Sequence, residues 1–175
     1  QVKKEIGQLA ASLINANEYL IMDASTTVQV VAEHMTTDNN IVVTNSIDIA
    51  GILSTKETVA IHLLGGQLNP KHRFISGPKA IDMLSDYNAD KLFIGTCGIT
   101  QEGLSNPYTD EAHLVREMIR RVDQVIVLAD STKFGHKFFH NVCGWDQVDI
   151  LITDKELSAD MIALLAQHDV NVMLV

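Results

Sequence analysis

A doubly wound, mostly parallel α/β sheet is the fold this chain predicts, on three observations. Short runs rich in β-branched residues alternate with stretches of helical periodicity along almost the whole sequence, the pattern of successive strand–helix–strand units. Three of the runs stop at turns rich in hydroxyl, amide and carboxylate side chains, as strand ends in open α/β sheets do where they meet a ligand. Finally, 175 residues with 46% hydrophobic content suit one domain with an ample core.

In chain order, Ile6, Leu9, Ala10, Leu13 and Ile14 recur at three- and four-residue steps and predict a helix over 2–16. The run Tyr19-Leu20-Ile21-Met22 predicts a strand over 18–23, followed by a helix over 26–36. Ile41-Val42-Val43 marks a strand at 40–44, then a helix at 46–55 and a strand at 58–64 ending on Gly65-Gly66. Residues 67–76 read as irregular, with Pro70 and the basic trio Lys71, His72 and Arg73. Pro78 suits the first turn of a helix over 77–87. A strand at 90–95, a glycine-rich loop at 98–108, a helix at 110–121 and a strand at 124–129 follow. Residues 134–148 are less regular and carry Phe134, Phe138, Phe139 and Trp145, which read as satellite core packing ahead of a lid or a subunit contact. A strand at 149–153, a helix at 158–167 and a strand at 170–175 close the pattern.

Composition excludes several classes of function. The net charge of −9, with basic residues scattered, argues against direct contact with nucleic acid by this segment. No apolar run approaches the roughly 20 residues that span a bilayer, so no membrane role is expected. Cys97 and Cys143 form no disulfide framework, which points to a reducing cytoplasm. The chain opens without Met and inside a helical pattern, as a piece of a longer protein would.

The three turns carry the chemistry. They are Asp23-Ala24-Ser25-Thr26-Thr27, Thr44-Asn45-Ser46 and Asp130-Ser131-Thr132-Lys133-Phe134-Gly135. Hydroxyls and free N–H groups at a helix N-terminus favour an anion, and Lys133 supplies compensating charge. Each turn taken alone also reads as an ordinary helix cap. Asp23 and Asp130 fit either sugar hydroxyls or Asx-type capping, and Glu111, opening a helix after a long polar loop, is the first choice for a general base. His136 and His140 stand four apart, but no Cys or carboxylate completes a zinc set, so no metal is expected. Cys97 has no partner base and reads as a buried or lining thiol. Neither a Gly-x-Gly-x-x-Gly nor a Walker-type motif occurs, which disfavours nucleotide cofactors.

Taken together these segments resemble the C-terminal sensor domain of the DeoR family of bacterial transcriptional regulators. The likeness runs from Asp23-Ala24-Ser25-Thr26-Thr27 and Val42-Val43-Thr44-Asn45-Ser46 through Leu64-Gly65-Gly66 and Ala89–Gly95. It continues through Gly98-Ile99, Glu111-Ala112, Leu128–Gly135 and Ile152-Thr153-Asp154. The resemblance implies a fold like that of ribose-5-phosphate isomerase and the CoA-transferases. It also implies a single domain over 1–175 that binds a phosphorylated sugar as effector, without cofactor and as a homo-oligomer. Operator DNA would be bound only through a winged helix-turn-helix domain absent from this chain.

Carried over residue by residue, the resemblance makes Ser25, Thr26 and Thr27 the first anion loop and Thr44, Asn45 and Ser46 the second ligand turn. Lys133 matches the lysine of an Asp-Ser-x-Lys motif, making it the principal phosphate cation, and Glu111 matches an acidic helix-opening residue. Asp23, Gly65, Gly66, Gly95, Cys97, Gly98 and Asp130 complete the expected ligand site. Many family members carry Gly-Ala-Asp-Gly where this chain reads Gly95-Thr96-Cys97-Gly98, which leaves an acidic pair for isomerisation incomplete and favours a binder over an enzyme. The alternatives are a sugar-phosphate isomerase or deaminase of the same fold, and a purely structural oligomerisation domain. Asp23, Thr44, Gly65, Gly95 and Asp130 should share one edge of the sheet.

Overall fold

The computed structural model describes residues 1–175. Its first half runs α1 (Val2–Ala11), β1 (Tyr19–Met22), α2 (Thr26–Glu33), β2 (Ile41–Thr44), α3 (Ile47–Leu53), β3 (Ala60–Leu63), β4 (Gln67–Asn69), β5 (Phe74–Ser76) and α4 (Pro78–Leu84). Then come β6 (Ala89–Ile94), β7 (Gly98–Thr100), β8 (Gly103–Asn106), α5 (Thr109–Arg120), β9 (Val122–Leu128), β10 (His140–Cys143), β11 (Ile150–Thr153), α6 (Ala159–Gln167) and β12 (Asn171–Leu174).

Seven strands form the central sheet in the order β12-β11-β9-β6-β1-β2-β3, and every pairing is parallel. A parallel sheet with crossover helices is covered on both faces, so its strands read as continuous apolar runs. The side chains then alternate between two cores. Ile21, Leu92, Ile94, Val125, Val127 and Leu151 face one, together with residues of α4, α5 and α6. Leu20, Met22, Phe93, Ile126, Leu128, Ile150 and Ile152 face the other, against α1, α2 and α3. The winding therefore reverses after β3, and β1 and β6 are the neighbours on either side of that reversal. In such sheets a crevice opens beyond the carboxyl ends of these two strands. Asp23, Gly65, Gly95 and Asp130 follow the carboxyl ends of parallel strands and Thr44 closes β2, so the five share one edge.

Two segments differ from the sequence reading. Residues 67–76 are not irregular but form the antiparallel β4–β5 hairpin. The glycine-rich stretch at 98–108 is likewise a β7–β8 hairpin, and β10, from the less regular 134–148, adds a third strand beside β8. Strands this short carry no legible period, and main-chain pairing rather than side-chain pattern sets them. Gly103, at φ +121, makes the tight connection. Of the four aromatics, Trp145 is buried and donates from Nε1 to Thr100 O at 3.0 Å, and Phe134 packs on a core, but Phe139 is 89% exposed. Helix α1 stops at Ala11 rather than running to residue 16. Leu13 and Ile14 continue the apolar period, but their N–H groups bond three residues back, and Asn17 turns left-handed at φ 68.

One side chain ties the two strands at the reversal. Asp23 Oδ2 accepts from the Gly95 N–H at 3.0 Å, and Oδ1 accepts from the Ser25 N–H at 2.9 Å. Asp23 is itself buried, and burial pushes its carboxyl up from 3.8 to about 7, against the two N–H donors that favour the charged form. The folded state thus retains a proton that the unfolded chain has released, so this contribution to stability falls as pH rises through the window between those two values.

Asp23→Asn sets an amide NH2 against one of the two backbone N–H groups, and the lost acceptor should destabilise the fold by about 1–3 kcal/mol near neutral pH. Urea unfolding at pH 5 and pH 8 checks both points. The variant should be less stable at each pH and should vary less between them than the parent chain. A parent-like midpoint with a parent-like pH slope would show that Asp23 carries neither role.

Candidate functional site

The anion-attracting side of the crevice is built around the N-terminus of α2. Ser25 caps that helix, its Oγ accepting from the Val28 N–H at 3.1 Å, while Asp23 holds the Ser25 N–H. The N–H groups of Thr26 and Thr27 then find no acceptor within the chain. Such N–H groups, aligned with the helix dipole, are a ready anion site. Gly95 lets β6 approach this turn closely. A Cβ there would lie 2.6 Å from Ser25 Cβ and 2.7 Å from its Oγ.

Two lysines reach the same end from opposite sides. Lys133 closes a 3-10 turn, Ser131–Lys133, which Asp130 and Asp154 fasten by accepting the Thr132 and Ser131 N–H groups at 2.9 and 2.7 Å. The Thr132 hydroxyl also donates to Asp130, whose carboxyl lies below its usual range through these bonds and the Lys133 charge, which outweigh its partial burial. Lys3, on α1, donates from Nζ to Thr26 Oγ1 at 2.8 Å. Its position follows from the crossing of α1 over α2, where Gly7 lies so close that a Cβ would meet Val30 Cγ1 at 2.5 Å.

Two further acceptors, Asn45 and Glu111, line the cavity. Asn45 is only 5% exposed, and its Nδ2 donates to Ile75 O at 3.0 Å, which leaves Oδ1 buried without a partner. Glu111, in the first turn of α5, is partly buried. Burial raises its carboxyl above the usual range, against a hydrogen bond from Asn106 and the charge of His72. Burial likewise raises the Cys97 thiol, helped by the Glu111 charge, so Cys97 is a neutral wall group and not a thiolate. The cavity volume is about 240 Å³, the scale of one small metabolite.

Of the residues singled out in the sequence, Asp23, Ser25, Thr26, Thr27 and Asn45 line this cavity, as do Gly95, Cys97, Glu111, Asp130 and Lys133. Thr44, Ser46, Gly65, Gly66 and Gly98 do not. Thr44 donates to Met22 O at 2.8 Å and accepts from the Ser46 N–H, and Ser46 caps α3 through the Ile49 N–H. Gly66 at φ +151 and Gly98 serve close backbone packing. An added Cβ would meet Ser76 O at 2.7 Å and His136 O at 2.3 Å respectively. Sequence reasoning missed Lys3, Thr96, Asn106 and the apolar floor of Leu114, Val115 and Val142. Gly7 was the available signal for Lys3, since a glycine inside a helical period marks a close helix crossing. His140 lies on β10, its ring edge-on to His113 at 4.9 Å, and no group of three or more His, Cys, Asp or Glu is placed to hold a metal.

Comparison with known proteins agrees with this geometry. The family described as the DeoR C terminal sensor domain matches residues 1–155. The HTH-type transcriptional repressor GlcR of Bacillus subtilis is 41% identical over 171 residues, a match covering 98% of this chain and 66% of that protein. The glycerol-3-phosphate regulon repressor of Escherichia coli is 29% identical, covering 98% and 69%. The chain thus spans about two thirds of the length of these curated relatives. Ribose 5-phosphate isomerase A from Methanocaldococcus jannaschii shares the fold, at a TM-score of 0.53 and 11% identity over 75% of this chain and 53% of that one. Sheet order, crevice and family match agree, and the chain belongs to the DeoR family as a C-terminal sensor domain.

Proposed function

We propose that residues 1–175 act as one domain that binds a phosphorylated sugar in this crevice without turning it over. The bound sugar then alters operator binding by a DNA-binding segment of the full-length regulator. The observation that carries the reading is the convergence of Lys3, Lys133 and the free Thr26 and Thr27 N–H groups on one cavity at the carboxyl edge of the sheet. A phosphoryl group satisfies all of them at once. The names of the relatives support it. They are repressors, and one is named for a glycerol-3-phosphate regulon. An effector acts only through its different affinities for two conformations of the regulator. In this reading the protein works in the cytoplasm as a homo-oligomer. No helix is long and apolar enough to cross a membrane.

A second reading, sugar-phosphate isomerisation, draws on one observation, the partly buried Glu111 with its raised pKa inside the cavity. Thermal-shift screening of phosphorylated aldoses and ketoses, followed by NMR of the recovered sugar, separates the two. Binding with unchanged sugar supports the sensor, and conversion supports the enzyme. The absence of any melting shift across the panel would count against both.

Lys133→Met deletes the charge while keeping most of the apolar stem, and it should weaken a phosphorylated effector about ten- to a hundredfold in calorimetry. Lys3→Met should act in the same direction, and the unphosphorylated sugar should respond much less to either change. Unaltered affinity in both variants would place the phosphoryl group elsewhere.

A further inference from the structure

Resting on the sensor reading above, we propose that the part of the cavity lined by Asn45 and Glu111 acts as an acceptor pole. It selects monophosphates whose other end offers hydrogen-bond donors, an ammonium ahead of a hydroxyl, and it rejects a second anion.

The first ground is Asn45. Its amide orientation is set by the Nδ2 bond to Ile75 O, so the buried oxygen can only accept, and nothing in the chain donates to it. A buried acceptor left unmade is costly, so a ligand donor placed there gains more than an ordinary hydrogen bond. The second ground is Glu111, whose ionised carboxylate is acceptor-only and would face a ligand carboxylate or second phosphate with like charge. Nearby hydroxyl donors are already committed, since Thr96 Oγ1 donates to Gly98 O at 3.0 Å. The third ground is charge balance. Apart from the neutral Cys97 thiol, the ionisable groups lining the cavity are two lysines, Lys3 and Lys133, against three carboxyls, Asp23, Glu111 and Asp130. A phosphoryl dianion takes up both lysines. His72, whose charge acts on Glu111, does not line the cavity. A further ligand anion would find no unused cation in the cavity lining, since Lys71 and His72 border Glu111 from the adjoining pocket, whereas an amine brings its own charge.

Four probes sharing a 6-phosphate test this by calorimetry at pH 7.5. Glucosamine 6-phosphate against glucose 6-phosphate isolates an added positive charge on a ring. Glucitol 6-phosphate against 6-phosphogluconate isolates an added negative charge on an open chain. The amine should bind more tightly than its neutral partner, and the aldonate should bind more weakly than the polyol by on the order of tenfold. Glu111→Gln keeps the length of the side chain and an acceptor for Asn106, and it should shrink both gaps. A parent-like melting curve would confirm its fold, and the parent series decides alone should the variant not fold. Binding without this charge order, or gaps unchanged in a folded Glu111→Gln variant, would overturn the acceptor pole while leaving the sensor reading intact. No binding by any of the four would count against the sensor reading itself.

Discussion

Everything at the business edge of the sheet depends on the carboxyl of Asp23. In a doubly wound sheet the two strands flanking the reversal send their chains to opposite faces, so the backbone beyond them diverges. Asp23 bridges that gap by accepting one N–H from each side, Gly95 after β6 and Ser25 before α2. The same carboxyl that fastens the strands also sets the entry of α2, because Ser25 must be held extended before its hydroxyl can cap the helix. Helix entry, strand spacing and the open N–H groups of Thr26 and Thr27 are one arrangement. Burying a carboxyl is unfavourable, and its place between two donors is the compensation.

The crevice gathers groups from distant parts of the fold. The lysines and the open helix N–H groups come from α1, α2 and the 3-10 turn, and the acceptors Asn45 and Glu111 from the turn after β2 and from α5. Lys3 lies on α1, and Lys133 in the turn after β9. Asn45 is oriented by a carbonyl of β5, and Glu111 by an amide at the end of β8, so the two antiparallel hairpins serve the parallel sheet as buttresses for its acceptors.

How much of this a reader of the sequence can recover follows from what each feature depends on. The five inner strands of the central sheet are legible because burial on both faces imposes apolar runs such as Ile41-Val42-Val43 and Val125–Leu128. The edge shared by Asp23, Thr44, Gly65, Gly95 and Asp130 is legible too, since parallel strands joined by helices all end on the same side. The hairpins are not, because Gln67-Leu68-Asn69 and Gly98-Ile99-Thr100 are too short to show alternation. The site is legible as a set of turns but not in its selection. Thr44 and Ser46 are chemically suited to an anion, yet local bonds to Met22 O and the Ile49 N–H already use their hydroxyls. Lys3 enters only through a helix crossing, and the orientation of Asn45 only through Ile75, thirty residues further on. Tertiary contact decides both.

The sheet divides the interior into two cores that touch only through its strands, and the crevice sits on the seam. Leu128 on its rim belongs to the core beneath α1, α2 and α3, and Leu114 and Val142 to the core beneath α4, α5 and α6. A molecule lodged there would touch both layers at once and act as a non-covalent cross-link between them. Such a contact could restrict their relative motion without reshaping either one. Its signature would be slower amide exchange on both faces of the sheet with little change in mean coordinates, a message written in stiffness.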